Sequence, residues 1–168
     1  MFGHHDPQSA GRSKFNVDGE PLRYSTAELV QFMESMPFFA ALSAKQRRGL
    51  ASVGVERSYP AGVNLVQQGQ EPGIGLYVIL SGRVRVTQLE DDGRMRVLGE
   101  LGAAQMFGEM ALLDDKPRSA TVTALEPTIA LVIPLYDFRA ALSHNGEATI
   151  KLLGMLAQRL RAAEAAAE

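Results

Sequence analysis

The sequence predicts a mainly β protein with flanking helices, in which an antiparallel barrel or sandwich lies between two helical segments. Two observations predict this class. Between residues 55 and 135, short apolar runs of period two alternate with turns that contain glycine or proline. On either side of that stretch, the spacing of apolar residues changes to the three- and four-residue steps of amphipathic helices. The 168 residues correspond to about one domain, so we expect a single core.

The N-terminal part divides into an arm, residues 1–24, and a helical segment, residues 25–54. The arm holds almost nothing apolar and cannot offset the entropy of being ordered, so we expect it to be flexible. Ser25 or Thr26 can cap a first helix, and Ser43 can open a second one. The first helix presents apolar residues at helical spacing: Leu29, Phe32, Met33 and Met36.

Residues 55–135 are predicted to form the strands. Glycine, proline and aspartate mark turns between the apolar runs. These runs are residues 63–66, 76–80, 84–89, 95–101, 120–125 and 129–135. In the third run, Arg83 and Arg85 alternate with valines, so we expect a solvated face whose arginines pair with acidic residues at 90–92.

The C-terminal residues 136–167 return to helical spacing, with a break at residues 144–146. After the break, apolar residues follow a 3-4-3 sequence: Ile150, Leu153, Ala157 and Leu160. Leu152 and Leu156 extend the apolar surface sideways. Two arrangements fit this pattern: a helix-to-helix seam in a homodimer, or packing of the helix back on the barrel.

Composition excludes several function classes. Seventeen basic against nineteen acidic residues give a net charge of -2, which argues against nucleic-acid binding by this chain alone. The sequence has no cysteine, which excludes disulfides and thiolate chemistry and suits a cytoplasmic protein. No apolar run reaches the ~18 residues of a membrane span. His4 and His5 lie in the arm and His144 at the helix break, so we expect neither a metal site nor an enzyme.

Residues 107–122, between two predicted strands, carry the candidate chemistry. Gly108 lets the backbone approach a ligand closely, and residues 110–113 can form a helical turn whose free N–H groups attract an anion. Arg118 follows Pro117 and can present its planar fork to a phosphate, with the Ser119 hydroxyl beside it. Glu109 has the wrong sign for a phosphate, so it points to a hydroxyl on the same ligand. A sugar hydroxyl beside a phosphate describes a nucleotide.

This run resembles the phosphate-binding cassette of cyclic-nucleotide-binding domains, which occur in catabolite-activator-type regulators, kinase regulatory subunits and nucleotide-gated channels. The resemblance covers residues 36–145 and includes Tyr59-Pro60-Ala61-Gly62 and Ser81-Gly82-Arg83-Val84. It implies a β-roll, a jelly-roll-like double-stranded β-helix, with the cassette between its sixth and seventh strands. Residues 25–168 would then form the domain, with the C-terminal helices as a lid or dimer helix.

The resemblance also implies a role for each matching residue. Glu109 matches the acceptor of the ribose 2′-hydroxyl and Arg118 the partner of the cyclic phosphate. The matching backbone around sugar and phosphate is that of Gly108, Met110 and Ala111. Ser119 matches a neighbouring position that can bond the phosphate or a guanine amino group. Two further residues fall near the apolar shelf for the base, although a core position fits each equally well: Val86 and Leu98.

The sequence therefore predicts a sensor that binds cyclic AMP, or cyclic GMP, and signals through its C-terminal helices to an effector that the chain does not identify. In the family the C-terminal helix closes over the base, and Arg159 or Arg161 could reach it here. Two alternatives stay open. One is a domain that binds no ligand and acts as a protein-interaction module. The other is the sensor part of a DNA-binding regulator without its helix-turn-helix.

Overall fold

Two four-stranded antiparallel sheets and five helices make up the described part of the chain. The computed structural model describes residues 16, 19–70, 75–110, 114 and 116–167. Its helices are α1 (Thr26–Glu34), α2 (Pro37–Ala40), α3 (Ala44–Val53), α4 (Leu135–Ser143) and α5 (Gly146–Ala166). Its strands are β1 (Val55–Tyr59), β2 (Asn64–Val66), β3 (Gly75–Ser81), β4 (Arg83–Leu89), β5 (Met95–Gly102), β6 (Met106–Phe107), β7 (Thr121–Ala124) and β8 (Thr128–Pro134).

The strand order is β1-β8-β3-β6 in one sheet and β2-β7-β4-β5 in the other. Consecutive strands therefore alternate between the sheets at several points, as a rolled jelly-roll-like topology requires. The predicted class, mainly β with flanking helices, is confirmed. The segment between β6 and β7, which carries the cassette, connects one sheet to the other.

The first two long helices begin at reciprocal capping boxes. In α1 the Ser25 hydroxyl accepts from the Glu28 N–H, and the Glu28 carboxylate accepts from the Ser25 N–H. Ser43 and Gln46 make the same exchange at α3. The short helix α2 was not predicted, because its four residues are too few to show a period. It begins at Pro37, a residue that suits the first helical position.

The apolar residues form two cores. The larger lies between the helices and the β3–β8 side of the roll, where the Phe38 ring is 5.3 Å from the Phe138 ring. The smaller lies between the two sheets and includes Val84, Phe107 and Val122. Because β6 ends at Phe107, the second core directly supports the start of the cassette.

The predicted partners of Arg83 and Arg85 are wrong. Both arginines bond Glu100, at 2.6 Å and 3.0 Å respectively, because the pairing of β4 with β5 sets Glu100 directly opposite Arg85. Asp92 instead bonds Arg94 within the hairpin turn, at 2.6 Å. The solvated face was predicted correctly, but cross-strand register cannot be read from one strand alone.

Helix α5 has two apolar sides with different environments. Leu152 is buried and Leu156 is partly buried, and both pack on the larger core rather than extending an exposed stripe. Ile150, Leu153 and Leu160 face away from it and are 71%, 55% and 61% exposed. One side of α5 therefore packs on the larger core, mainly against α2 and α4, and the seam of a homodimer stays a prediction for the exposed side. Among the residues described, no helix is long and apolar enough to cross a membrane.

The arm and domain boundaries stay predictions. Residues 1–15, 17 and 18, with His4 and His5 among them, lie outside the described residues. At the end of the arm, the backbone N–H groups of Arg23 and Tyr24 donate to the buried Glu56 carboxylate at 2.9–3.2 Å. A buried carboxylate on β1 therefore fixes the chain just before α1.

Candidate functional site

Gly108 starts the segment after β6 in a conformation that favours glycine. Its φ is +94°. A Cβ built on it would lie 2.9 Å from Arg118 Nη1 and 3.0 Å from the Gly75 carbonyl oxygen. Glycine is therefore required here by backbone geometry and by the close approach of a guanidinium.

Arg118 is buried beside this glycine, with 9% of its surface exposed. Its Nη2 donates to the Gly75 carbonyl at 3.2 Å, and its guanidinium carbon lies 5.8 Å from the centre of the Tyr77 ring. Burial lowers the pKa of Arg118 from its ordinary value, while Tyr77 and Glu109 act in the opposite direction. Arginine stays charged in proteins, so this buried guanidinium would favour the binding of an anion.

The backbone of the same segment is held by the loop after β2. The Arg118 N–H donates to the Gln70 carbonyl, and the Gly69 N–H donates to the Arg118 carbonyl, both at 2.9 Å. These bonds fix the direction in which the Arg118 side chain enters the roll.

Tyr77 forms an aromatic floor under the site that the sequence reasoning missed. Its ring stacks on Phe107 at 4.8 Å with an interplanar angle of 10°. Burial and, to a smaller extent, the neighbouring Tyr77 raise the pKa of Tyr59 to about 12. In the sequence Tyr77 is one aromatic residue in the buried run of β3, and nothing in that run marks it as part of a site.

Glu109 is the second buried charge, with 3% of its surface exposed. Its Oε1 accepts from Arg159 Nη1 of α5, and its Oε2 is buried without a hydrogen-bond partner. Arg159 Nη2 donates to the Met106 carbonyl at 2.6 Å. Sequence reasoning selected Arg159 or Arg161 as reaching the base. In the structure Arg159 contacts the cassette carboxylate and Arg161 is exposed; contact of either residue with the base stays a prediction.

The other described cassette residues that were predicted to line the ligand are more exposed than Glu109 and Arg118. Met110 and Ser119 are exposed, and the Ser119 carbonyl accepts from Gln88 Nε2 at 3.0 Å. The Ser119 hydroxyl is thus at the surface beside the buried Arg118. Ala111 lies outside the described residues, as do the next two positions of the predicted helical turn.

Val86 and Leu98 lie on neighbouring strands in different environments. Val86 is half-buried and packs against the smaller core. Leu98 is 45% exposed. It sits at a bulge, because Val86 pairs with Gly99 while Thr87 pairs with Val97. A core position therefore describes Val86 well, and only Leu98 offers free apolar surface.

No metal centre emerges from the part of the chain that the structure describes, where no three His, Cys, Asp or Glu residues come together as ligands. The two charged groups that can contact a ligand are the Arg118 guanidinium and the Glu109 carboxylate. The ion pairs of the described residues join Glu109 to Arg159, not to Arg118, although the Glu109 charge is felt at Arg118. A ligand with an anionic end and a hydroxyl-bearing end matches this separation.

The family model "Cyclic nucleotide-binding domain" matches residues 56–145. The chain belongs to this family. The predicted resemblance is confirmed, and the matched range contains Glu109, Arg118 and the whole segment between β6 and β7.

Three relatives illustrate the range of the family. The chain is 35% identical to the cyclic AMP receptor protein of Thermus thermophilus over 132 residues, which cover 79% of this chain and 61% of the relative. It is 39% identical to a cGMP-dependent protein kinase of Eimeria tenella over 107 residues, 64% of this chain and 10% of the kinase. The crystal structure of the Thermus thermophilus catabolite activator protein matches with a TM-score of 0.67 at 35% identity, over 76% of this chain and 60% of that one.

The chain therefore spans less than two thirds of the length of these relatives. The cyclic nucleotide-binding domain is what they share with it. The family is defined by cyclic-nucleotide binding and not by a catalytic reaction.

Proposed function

We propose that this chain is a sensor module that binds a cyclic nucleotide between Arg118 and Glu109 and transmits binding through α4 and α5. One observation carries the proposal: among the described residues the buried Arg118 guanidinium has no carboxylate partner and donates to the Gly75 carbonyl, while the buried Glu109 pairs with Arg159 through Oε1 and leaves Oε2 without a hydrogen bond. A buried guanidinium without an ionic partner is unfavourable unless an anion binds it. A cyclic phosphate at Arg118 and a ribose hydroxyl at Glu109 would satisfy both groups at once.

Each site residue has a proposed part in this complex. Arg118 would offer its guanidinium fork to the cyclic phosphate, and the hydroxyl of the adjacent Ser119 would donate to the same group. Glu109 Oε2, buried and unpartnered, would accept the ribose 2′-hydroxyl. The backbone from Gly108 through Met110 and Ala111 would line the sugar and phosphate. For the base, Val86 and Leu98 remain the proposed apolar shelf, with the exposed Leu98 contributing more free surface.

We propose cyclic AMP ahead of cyclic GMP as the ligand. The Thermus relative that matches most of this chain is named a cyclic AMP receptor protein, whereas the cGMP-dependent kinase shares a smaller part of it. Ser119 could also meet a guanine amino group, so cyclic GMP stays in the test as the second ligand.

The proposed binding partners are inferred from the exposed apolar side of α5 and from the net charge of the chain. The exposed side of α5 carries Ile150, Leu153 and Leu160 at seam spacing, which supports a homodimer through this helix. A net charge of -2 supports the proposal that the chain alone does not bind nucleic acid. We further propose that it catalyses no reaction, regulates an effector protein and, having no cysteine, acts in the cytoplasm.

Calorimetric titration with cyclic AMP, cyclic GMP and linear AMP tests the proposal. The wild-type protein should bind a cyclic nucleotide saturably and linear AMP far more weakly. Arg118→Ala should weaken binding roughly 100-fold, the size of a lost charge-assisted contact in a buried site. Arg118→Lys should recover part of the loss, because it keeps the charge without the fork. Arg48→Ala on the exposed side of α3 is the matched control.

Three outcomes would contradict the proposal in different ways. No heat with either cyclic nucleotide would favour a ligand-free interaction module. Equal affinity in wild type and Arg118→Ala would reject the site. Retardation of a random DNA duplex at low salt would favour a DNA-binding regulator. Thermal unfolding of each variant confirms that the folded protein was titrated.

A further inference from the structure

Helix α5 contacts the candidate site through Arg159. The Arg159 side chain is 40% exposed, while Glu109, which it contacts, is 3% exposed. One guanidinium nitrogen bonds Glu109 Oε1 and the other bonds the Met106 carbonyl. The fork thus bridges two residues on either side of Gly108, one in β6 and one in the cassette.

This bridge leaves one oxygen of the carboxylate for another partner. Glu109 Oε1 is taken by Arg159, whereas Oε2 is buried with no hydrogen bond. A buried acceptor left without a donor is unfavourable, so Oε2 is the atom that gains most from a ligand hydroxyl. Arg159 therefore uses one oxygen of the carboxylate and leaves the other without a partner.

We propose that Arg159 is a positioning residue for the ligand, which orients Glu109 through one oxygen and makes ligand affinity depend on the docking of α5. This inference rests on the proposed function, because it assumes that a ribose hydroxyl binds Glu109. By thermodynamic linkage, docking of α5 raises the affinity for the ligand, and ligand binding raises the equilibrium constant for docking of α5 by the same factor.

The chemistry of the bridge requires an arginine. A lysine ammonium could keep a positive charge near Glu109, but it has no fork with which to bond the Met106 carbonyl in the same geometry. The neighbouring Arg161 on the same helix is exposed. It has the same charge and supplies a matched control two residues away.

Calorimetry with cyclic AMP and cyclic GMP, together with hydrogen exchange of α5, tests this inference. Arg159→Ala should weaken binding roughly tenfold, the size of one charge-assisted hydrogen bond. It should also raise the exchange rate of the C-terminal half of α5 without ligand and abolish the protection that ligand adds there. Arg159→Lys should fall between Arg159→Ala and wild type, and Arg161→Ala should match wild type in both measurements.

The outcomes separate this inference from the proposed function. If wild type binds a cyclic nucleotide and Arg118→Ala does not, but Arg159→Ala binds as wild type or more tightly, the positioning role is rejected and the site stands. If binding weakens while α5 exchange is unchanged with and without ligand, the coupling to the helix is rejected. If wild type binds neither nucleotide, both proposals fall together. Circular dichroism confirms that each variant remains folded.

Discussion

Replacement of Gly108 by alanine tests whether the shape of the pocket is set by the space reserved for Arg118. Two effects add at this position. An L-residue at a φ of +94° is strained by about 1–2 kcal/mol. The new Cβ would also lie 2.9 Å from Arg118 Nη1 and 3.0 Å from the Gly75 carbonyl oxygen, so the guanidinium must move. That movement disturbs the 3.2 Å bond from Nη2 to the same carbonyl, which is worth about 1.5–3 kcal/mol as a charge-assisted bond.

Gly93→Ala is the matched control for the backbone term. Gly93 has a φ of +86°, and a Cβ built there meets nothing within 4 Å. Both variants should lose about 1–2 kcal/mol of unfolding free energy from strain, and each kcal/mol lowers Tm by about 2–4 °C in a chain of this size. Only Gly108→Ala should carry the additional loss and weaken cyclic-nucleotide binding, by roughly 10- to 150-fold.

Urea unfolding and calorimetric titration of the two variants, run in parallel, make the comparison. Equal losses of stability, with nucleotide affinity unchanged in Gly108→Ala, would refute the argument, because the guanidinium would then not depend on the missing side chain. A weakened affinity in Gly93→Ala would refute it differently, by showing that strain alone reaches the pocket.

Three further predictions concern the helices and the floor of the site. Asn145→Ala removes the α5 N-cap and the bonds of that side chain to the end of α2 and to α3, so urea unfolding should show a loss of about 2 kcal/mol; no loss would contradict it. Since burial raises the Tyr59 pKa to about 12, the protonated form is favoured on folding, and stability should be full below about pH 10 and fall towards pH 12. Tyr59→Phe should lose that part of the pH dependence, and an unchanged profile would reject the assignment. In sedimentation velocity, Leu153→Glu and Leu160→Glu should dissociate a dimer that Met95→Glu leaves intact; a monomeric wild type would exclude the seam.

The elements that sequence predicted best are those with a local physical signature. The Ser25 and Ser43 caps, the period-two runs and the break at Asn145 each depend on residues within one helix or strand. The partners of Arg83 and Arg85 were missed because strand register is set by the fold. The placement of Leu152 was missed for a related reason, since α5 carries apolar residues on two sides and their spacing alone does not reveal which side meets the core.

The site residues also divide into those with a local signature in the sequence and those defined only by long-range contacts. Glu109 and Arg118 were selected from their chemistry and from the family resemblance, and the structure buries both. Arg159 was selected only as reaching the base, because no local pattern connects it to a carboxylate 50 residues earlier in the chain. Tyr77 was not selected, because its contact with Arg118 joins strand β3 to the segment before β7. Long-range contacts of this kind become visible only when the roll is closed.

Two points of α5 contact different parts of the molecule: Asn145 at its N-terminus and Arg159 in its C-terminal half. Asn145 Nδ2 donates to the Ala41 carbonyl and to Gln46 Oε1, at 3.1 Å and 3.0 Å, and so holds the start of the helix on the N-terminal helices. Arg159 lies 14 residues further along the same helix, or about 21 Å at 1.5 Å per residue. Because Leu152 and Leu156 also pack on the larger core between these two points, we expect a change at Glu109 to move this part of the helix as a unit. The exposed residues Ile150 and Leu153 lie between these two points, so any tilt that the ligand favours must change the surface that a second copy or an effector would meet.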